Sequence, residues 1–145
     1  MGNTSTNTLL RKVSRDLDTA DPYLKVAGQL TVTQTGQTKE LKTSQDLATG
    51  ALSFETQENS DFSLGSVGIK FSDSVSETIN ITLTKSDPNY DTLIATTVLS
   101  GNTSFFYLPE NEIKILSSVG QQLKVECTNV GGSETAYVTV NIEVI

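Results

Sequence analysis

The sequence predicts an all-β protein: an antiparallel β-sandwich, jelly-roll or immunoglobulin-like, of about eight to ten short strands behind an extended N-terminal arm. Three observations predict it. Apolar residues alternate with polar ones in successive runs, as in Ile79, Ile81 and Leu83, and again in Val138, Val140, Ile142 and Val144. That period of two gives a strand one buried face. Turn residues punctuate the runs at Asp87-Pro88-Asn89, Ser100-Gly101-Asn102 and Gly131-Gly132, where Gly supplies unusual φ and Asp or Asn bonds the local backbone. After residue 20 no helical period recurs, so the crossover helices of a parallel α/β fold are missing.

Residues 1–22 form the arm. Within it, residues 9–17 (LLRKVSRDL) can make about two helical turns, with Leu9, Leu10, Val13 and Leu17 on one face and Arg11 and Arg15 on another. So short a helix needs a surface to lie on. Pro22 ends the arm by pushing Asp21 out of helical geometry. The sandwich domain then spans residues 23–145. Leu24, Val26, Leu30 and Val32 mark strand residues around Gly28, a bulge position. A turn at 34–37 returns the chain through 38–43, with Leu41 inward and a loop over 44–50. Strands follow at 51–57, carrying Leu52 and Phe54, and at 62–72, carrying Val67, Ile69 and Phe71. Gly65 and Gly68 mark bends in the latter.

The stretch 77–129 comes next. It holds the strand with Ile79, Ile81 and Leu83, a turn at Asp87-Pro88-Asn89, and a strand over 91–99. A further strand, 103–108, is aromatic: Phe105 and Tyr107 share one face, Phe106 and Leu108 the other. A strand apolar on both faces is either buried in a sandwich or lies at a subunit contact. Pro109 breaks it. Ile113, Ile115 and Leu116 precede a turn at 117–120. Strands over 121–128 and 135–145 close the chain around the 129–134 loop, with Tyr137, Thr139, Asn141 and Glu143 facing out.

The 145 residues carry a net charge of −7, which disfavours nucleic acid as a partner, because phosphate binding wants a basic surface. Both arginines, Arg11 and Arg15, lie in the arm, and residues 26–145 hold 6 basic against 14 acidic side chains. An acidic body with an Arg-bearing arm suits docking, although two arginines also simply solvate a helix face. Leu9-Leu10 is too short an apolar run for a signal peptide. No run approaches the ~20 apolar residues of a membrane span, so no membrane partner is expected.

Catalysis finds little support. There is no histidine, which removes the commonest general base and metal ligand. Cys127, the lone cysteine, alternates with Leu123 and Val125 and reads as a small core residue. No phosphate-binding or zinc spacing is present, and Gly131-Gly132 reads as a turn. Glu110 and Glu112 are the nearest approach to a carboxylate pair but sit in a loop. Asp87, Asn89 and Asp91 alternate as calcium ligands do, yet the glycine and glutamate that should follow are missing. No catalytic residue, cofactor or metal is expected. Carbohydrate binding wants aromatic platforms; there is no Trp, Phe105, Phe106 and Tyr107 read as core or interface, and the exposed candidates Tyr90 and Tyr137 do not by themselves make a site.

Four pieces carry a family resemblance: Ile81-Thr82-Leu83, the turn Asn89-Tyr90-Asp91-Thr92, Phe106-Tyr107-Leu108-Pro109, and Leu123-Lys124-Val125. Over residues 62–145 this succession resembles small β-sandwich virion proteins of tailed bacteriophages. Gly120-Gln121 stands where those proteins usually carry Gly-Asp. The resemblance implies a structural protein of the capsid surface, neck or tail and carries over no catalytic residue. Joined to the charge pattern, it leads to the expectation of a non-enzymatic capsid decoration (cement) protein on the capsid exterior. The arm would dock on the major capsid protein: Leu9, Leu10, Val13 and Leu17 bury apolar area, and Arg11 and Arg15 pair with carboxylates. A homo-oligomer, trimer or dimer, is expected, with Phe105, Phe106, Tyr107 and Leu108 as its contact. The alternatives are a neck or tail component and a host-surface or carbohydrate-binding module.

Overall fold

The computed structural model describes residues 36–145. These form nine strands: β1 (Gln37–Asp46), β2 (Leu52–Glu55), β3 (Phe62–Val75), β4 (Thr78–Thr84), β5 (Thr92–Val98), β6 (Asn102–Tyr107), β7 (Lys114–Ile115), β8 (Gln122–Cys127) and β9 (Thr135–Val144). One sheet runs β1-β9-β3-β6, with β7 also on β3. The other runs β2-β8-β4-β5, and every pair is antiparallel. The expected all-β sandwich is therefore present.

The pairing follows one rule. β4 pairs with β5, β3 with β6, β2 with β8 and β1 with β9. The chain is one long hairpin, closed at 88–90, whose two arms switch sheet together as it rolls up. This is the jelly-roll wrap, which decides between the two sandwich types that local alternation leaves open.

The alternation itself sets the register. Ala136, Val138, Val140, Ile142 and Val144 all point into the core from β9. Burying each of the four larger ones is worth roughly 1.5–3 kcal/mol. A slip of one residue would expose all of them at once. They meet Phe62, Leu64, Val67, Ile69 and Phe71 of β3 on one side of the core. From the opposite sheet come Leu52, Ile79, Ile81, Leu123, Val125 and Cys127. Cys127 is thus a core residue, as its spacing predicts.

Several details differ from the sequence reading. β3 changes phase at Gly65, where the register to β9 shifts between Leu64 and Ser66. A Cβ there would lie 2.9 Å from the Asn141 carbonyl oxygen, so the bulge needs glycine. Gly68 marks no bend: it stays in register with both Thr139 and Phe106. β1 continues to Asp46, because its last residues still pair with β9, and the expected 44–50 loop shrinks. β3 likewise runs on to Val75. Leu41 is only half-buried, being on an edge strand of the described part. The expected strand residues from Leu24 to Val32 and the helix over 9–17 lie outside the described residues.

Candidate interaction surface

Among the described residues, β5 and β6 are the last strands of their sheets, one in each, and lie together along one side of the roll. The turn joining them is closed by the Asn102 side chain, whose Oδ1 accepts from Ser100 N at 2.8 Å. Along this side, from Thr92 through Pro109, no residue carries a charge. Most of its apolar side chains are at least partly in water.

The structure divides the aromatic strand as its alternation predicts. Phe105 and Tyr107 face inward and pack partly against the core. Phe106 and Leu108 remain 67% and 64% exposed. Burial of both faces within the described sandwich is thus ruled out, and the outward pair is left without a partner among the described residues. Phe106 is not idle in the fold, however. It stands opposite Gly68 in the β3–β6 register, its ring 3.8 Å from where a Cβ of that glycine would sit. An aromatic across a strand glycine covers the gap the missing side chain leaves.

Two shallow grooves border this strand. One, of about 420 Å³, opens between the sheets and is lined by Ile94, Tyr107, Leu108, Glu110, Asn111 and Ile113. The other, of about 460 Å³, crosses the outer face of the larger sheet, with Phe106 and Tyr137 bordering Gly68, Lys70, Ser104 and Thr139. Neither encloses a constellation of reactive groups.

Two of the acidic residues singled out in the sequence, Asp87 and Asp91, serve the backbone. The Asp87 carboxylate accepts from Asn89 N at 3.0 Å and caps the 88–90 turn, while Asp91 accepts from Lys85 N at 2.8 Å. Both brace the same turn, Asp87 from within and Asp91 across its base. Glu112 accepts from Ser63 Oγ at 2.8 Å, and Glu110 only lines the inter-sheet groove. Among the described residues no cluster of three acidic or cysteine ligands could hold a metal.

One charged group escaped the sequence reading. Glu77, between β3 and β4, is 3% exposed. Its carboxylate accepts from Thr128 Oγ1 at 2.6 Å, Val130 N at 2.9 Å and Gly131 N at 3.2 Å. Its backbone carbonyl takes Leu99 N at 2.8 Å. Burial pushes its pKa up, but the hydroxyl and the loop N–H groups together outweigh that and hold the carboxyl below its ordinary value. The 129–134 loop is therefore a cradle for an anion, and the chain's own Glu77 fills it. The signal was available: Val75, Glu77 and Ile79 continue one inward alternation, and a carboxylate in an apolar slot needs partners. Burial, and secondarily the Glu77 charge, push the Cys127 thiol up to about 11, so it is a poor nucleophile.

The arm residues Leu9, Leu10, Arg11, Val13, Arg15 and Leu17 lie outside the described residues.

No protein-family model matches this sequence, and no curated protein is similar to it. Among solved structures, the NLP core of Drosophila, described in terms of pentamer formation and histone binding, is 12% identical, with a TM-score of 0.40 over 75% of this chain and 98% of its own. The infectious bursal disease virus Gx strain structure is 15% identical, TM-score 0.35, over 85% of this chain and 36% of that one. The virus-like particle of extra small virus from the prawn Macrobrachium rosenbergii is 12% identical, TM-score 0.28, over 84% and 87%. At these scores and identities the likenesses bear on neither ancestry nor activity.

Proposed function

We propose that this chain is a non-enzymatic structural protein of a virion, in the first place a capsid decoration protein of a tailed phage seated on the capsid exterior. The observation that carries the reading is a charge-free, apolar strand edge, Phe106 and Leu108 at its centre, on an otherwise acidic body. Such a surface is made for protein contact. The sequence resemblance over residues 62–145 supports it, and so does the wrap: jelly rolls recur in capsid and lectin domains, which is an argument by analogy of fold.

In this reading the roll is a platform and the arm attaches it to the major capsid protein. Leu9, Leu10, Val13 and Leu17 cover apolar area on the shell while Arg11 and Arg15 meet carboxylates. The acidic body faces away from packaged nucleic acid, where a basic surface would be wanted. The test is binding of the full chain and of an Arg11→Glu/Arg15→Glu variant to undecorated particles. Loss of binding in the variant supports the arm mechanism; unchanged binding overturns it. Locating the chain in whole particles separates decoration, with copies all over the shell, from a neck or tail ring.

The outer groove bordered by Phe106 and Tyr137 favours a second reading, a host-surface module that stacks a sugar ring beside Lys70, Ser104 and Thr139. Glycan binding by the purified chain, abolished by Tyr137→Ala, is its signature.

A further inference from the structure

Sheet edges expose unpaired backbone groups, and proteins ordinarily blunt them. Among the described residues, three of the four outermost strands carry a recognisable device. β1 carries Lys39, Glu40, Lys42 and Asp46. β2 is only four residues long and ends in Glu55. β5 has a bulge at Ile94, where its register to β4 shifts. β6 has none. It reads Asn-Thr-Ser-Phe-Phe-Tyr, six residues without charge or proline. The register shift in its pairing lies in β3, whose residues 71–74 face Thr103 alone. Among the described residues its sole neighbour is β3, and the outward Phe106 and Leu108 flank the open edge.

We infer that β6 is a self-association edge: it pairs antiparallel with β6 of a second copy about a two-fold axis, joining the two larger sheets into one. Charge argues for a second copy over another partner. Residues 36–145 hold 6 basic and 14 acidic residues, so a basic partner would be drawn to the carboxylates elsewhere. Two like-charged copies meet with least repulsion where those charges are absent, and residues 92–109 provide such a place. An antiparallel strand pair is also self-complementary under two-fold symmetry, as an isologous contact requires. Six strand residues with their flanking side chains cover less than the roughly 800 Å² per partner of a standard interface. The dimer is therefore weak in solution, with a dissociation constant of about micromolar order. This inference does not depend on the virion reading and is tested without particles.

Sedimentation equilibrium of the full chain, from about 1 to 500 µM to bracket that constant, is the measurement. It is repeated for Phe106→Lys and, as a control of equal charge change, Val130→Lys in the 129–134 loop, where Val130 is 89% exposed. The parent and Val130→Lys should dimerise with constants within about twofold of each other, whereas Phe106→Lys, setting a cation into each edge as protected edges do, should weaken the dimer at least about tenfold. Circular dichroism confirms that the variant keeps its fold. For a fold-loss result, Ser104→Lys on the same edge replaces it. A monomeric parent, a trimer or larger ring, or a dimer indifferent to both edge lysines overturns the inference.

Discussion

Removing the Glu77 carboxylate should cost this fold more than any other single change to a polar group described above. In Glu77→Ala, Thr128 Oγ1, Val130 N and Gly131 N lose their shared acceptor. Hydrogen bonds to a charged group are worth roughly 1.5–3 kcal/mol each. Three would total about 5 kcal/mol at the low end, but the loop tip is in solvent, as the exposed Val130 shows, and water can reach part of the vacated cradle. The expected loss is about 2–4 kcal/mol. Glu77→Gln keeps the shape and one acceptor oxygen but turns an NH2 toward a donor, for about 1–2 kcal/mol. The pH dependence has a definite sign. The folded carboxyl titrates below its ordinary value near 4.5. The unfolded chain thus binds the proton first as pH falls, and the stabilisation, complete above that value, is lost on descending through the lower folded pKa. Urea denaturation followed by far-UV circular dichroism at pH 7 and at pH 4 or below measures both effects, since the chain has no Trp to report. Glu77→Ala within 0.5 kcal/mol of the parent at pH 7 (the ordinary scatter of about that size for surface changes) would refute the reasoning. So would an acid slope that is as steep in Glu77→Gln as in the parent.

Three further outcomes are expected. Gly65→Ala drives a methyl to 2.9 Å from the Asn141 carbonyl and should destabilise by about 1–3 kcal/mol, whereas Gly101→Ala meets nothing within 4 Å but sits at φ +69, for about 1 kcal/mol; thermal melts compare them. Ile81, fully buried in β4, should lose about 1 kcal/mol as Val and about 3–4 as Ala, read by urea midpoint. Cys127, buried and with its thiol pushed up to about 11, should ignore a disulfide reagent at neutral to mildly alkaline pH and react at once in denaturant.

Much of the fold could be read from residues because its signals are local. Alternation located β4, β6, β8 and β9, and Asp87-Pro88-Asn89 gave its turn. Strand pairing is not local: Gln37 lies opposite Val144, and no run of residues announces a partner so far along the chain. The wrap had to come from the structure. Glu77 sits at an inward position between Val75 and Ile79, but that spacing alone does not supply its partners; the donors of the 129–134 loop reach it only in the folded chain.

The charge-free run at 92–109 shows most clearly what position adds to sequence. In the middle of a sheet such a run would be ordinary core, and its neutrality would carry no meaning. The wrap puts it elsewhere. Because β4 and β5 meet at the closed end of the long hairpin, β5 and β6 become the last strands of the two sheets, on the side opposite β1 and β2. The β1–β2 side holds Lys39, Glu40, Lys42, Asp46 and Glu55; strands β5 and β6 and the turn between them hold no charge, and Lys70 and Glu110 stand only at the borders of that run. Both sides face the same edge-pairing hazard, so fold stability alone gives no reason to protect one and leave the other open. A surface requirement that differs between the two sides does, and contact with another protein along β6 is such a requirement. The aromatic strand thus reads twice: inward, Phe105 and Tyr107 pack against the core; outward, Phe106 and Leu108 stand in solvent along the edge where we propose that a second copy pairs.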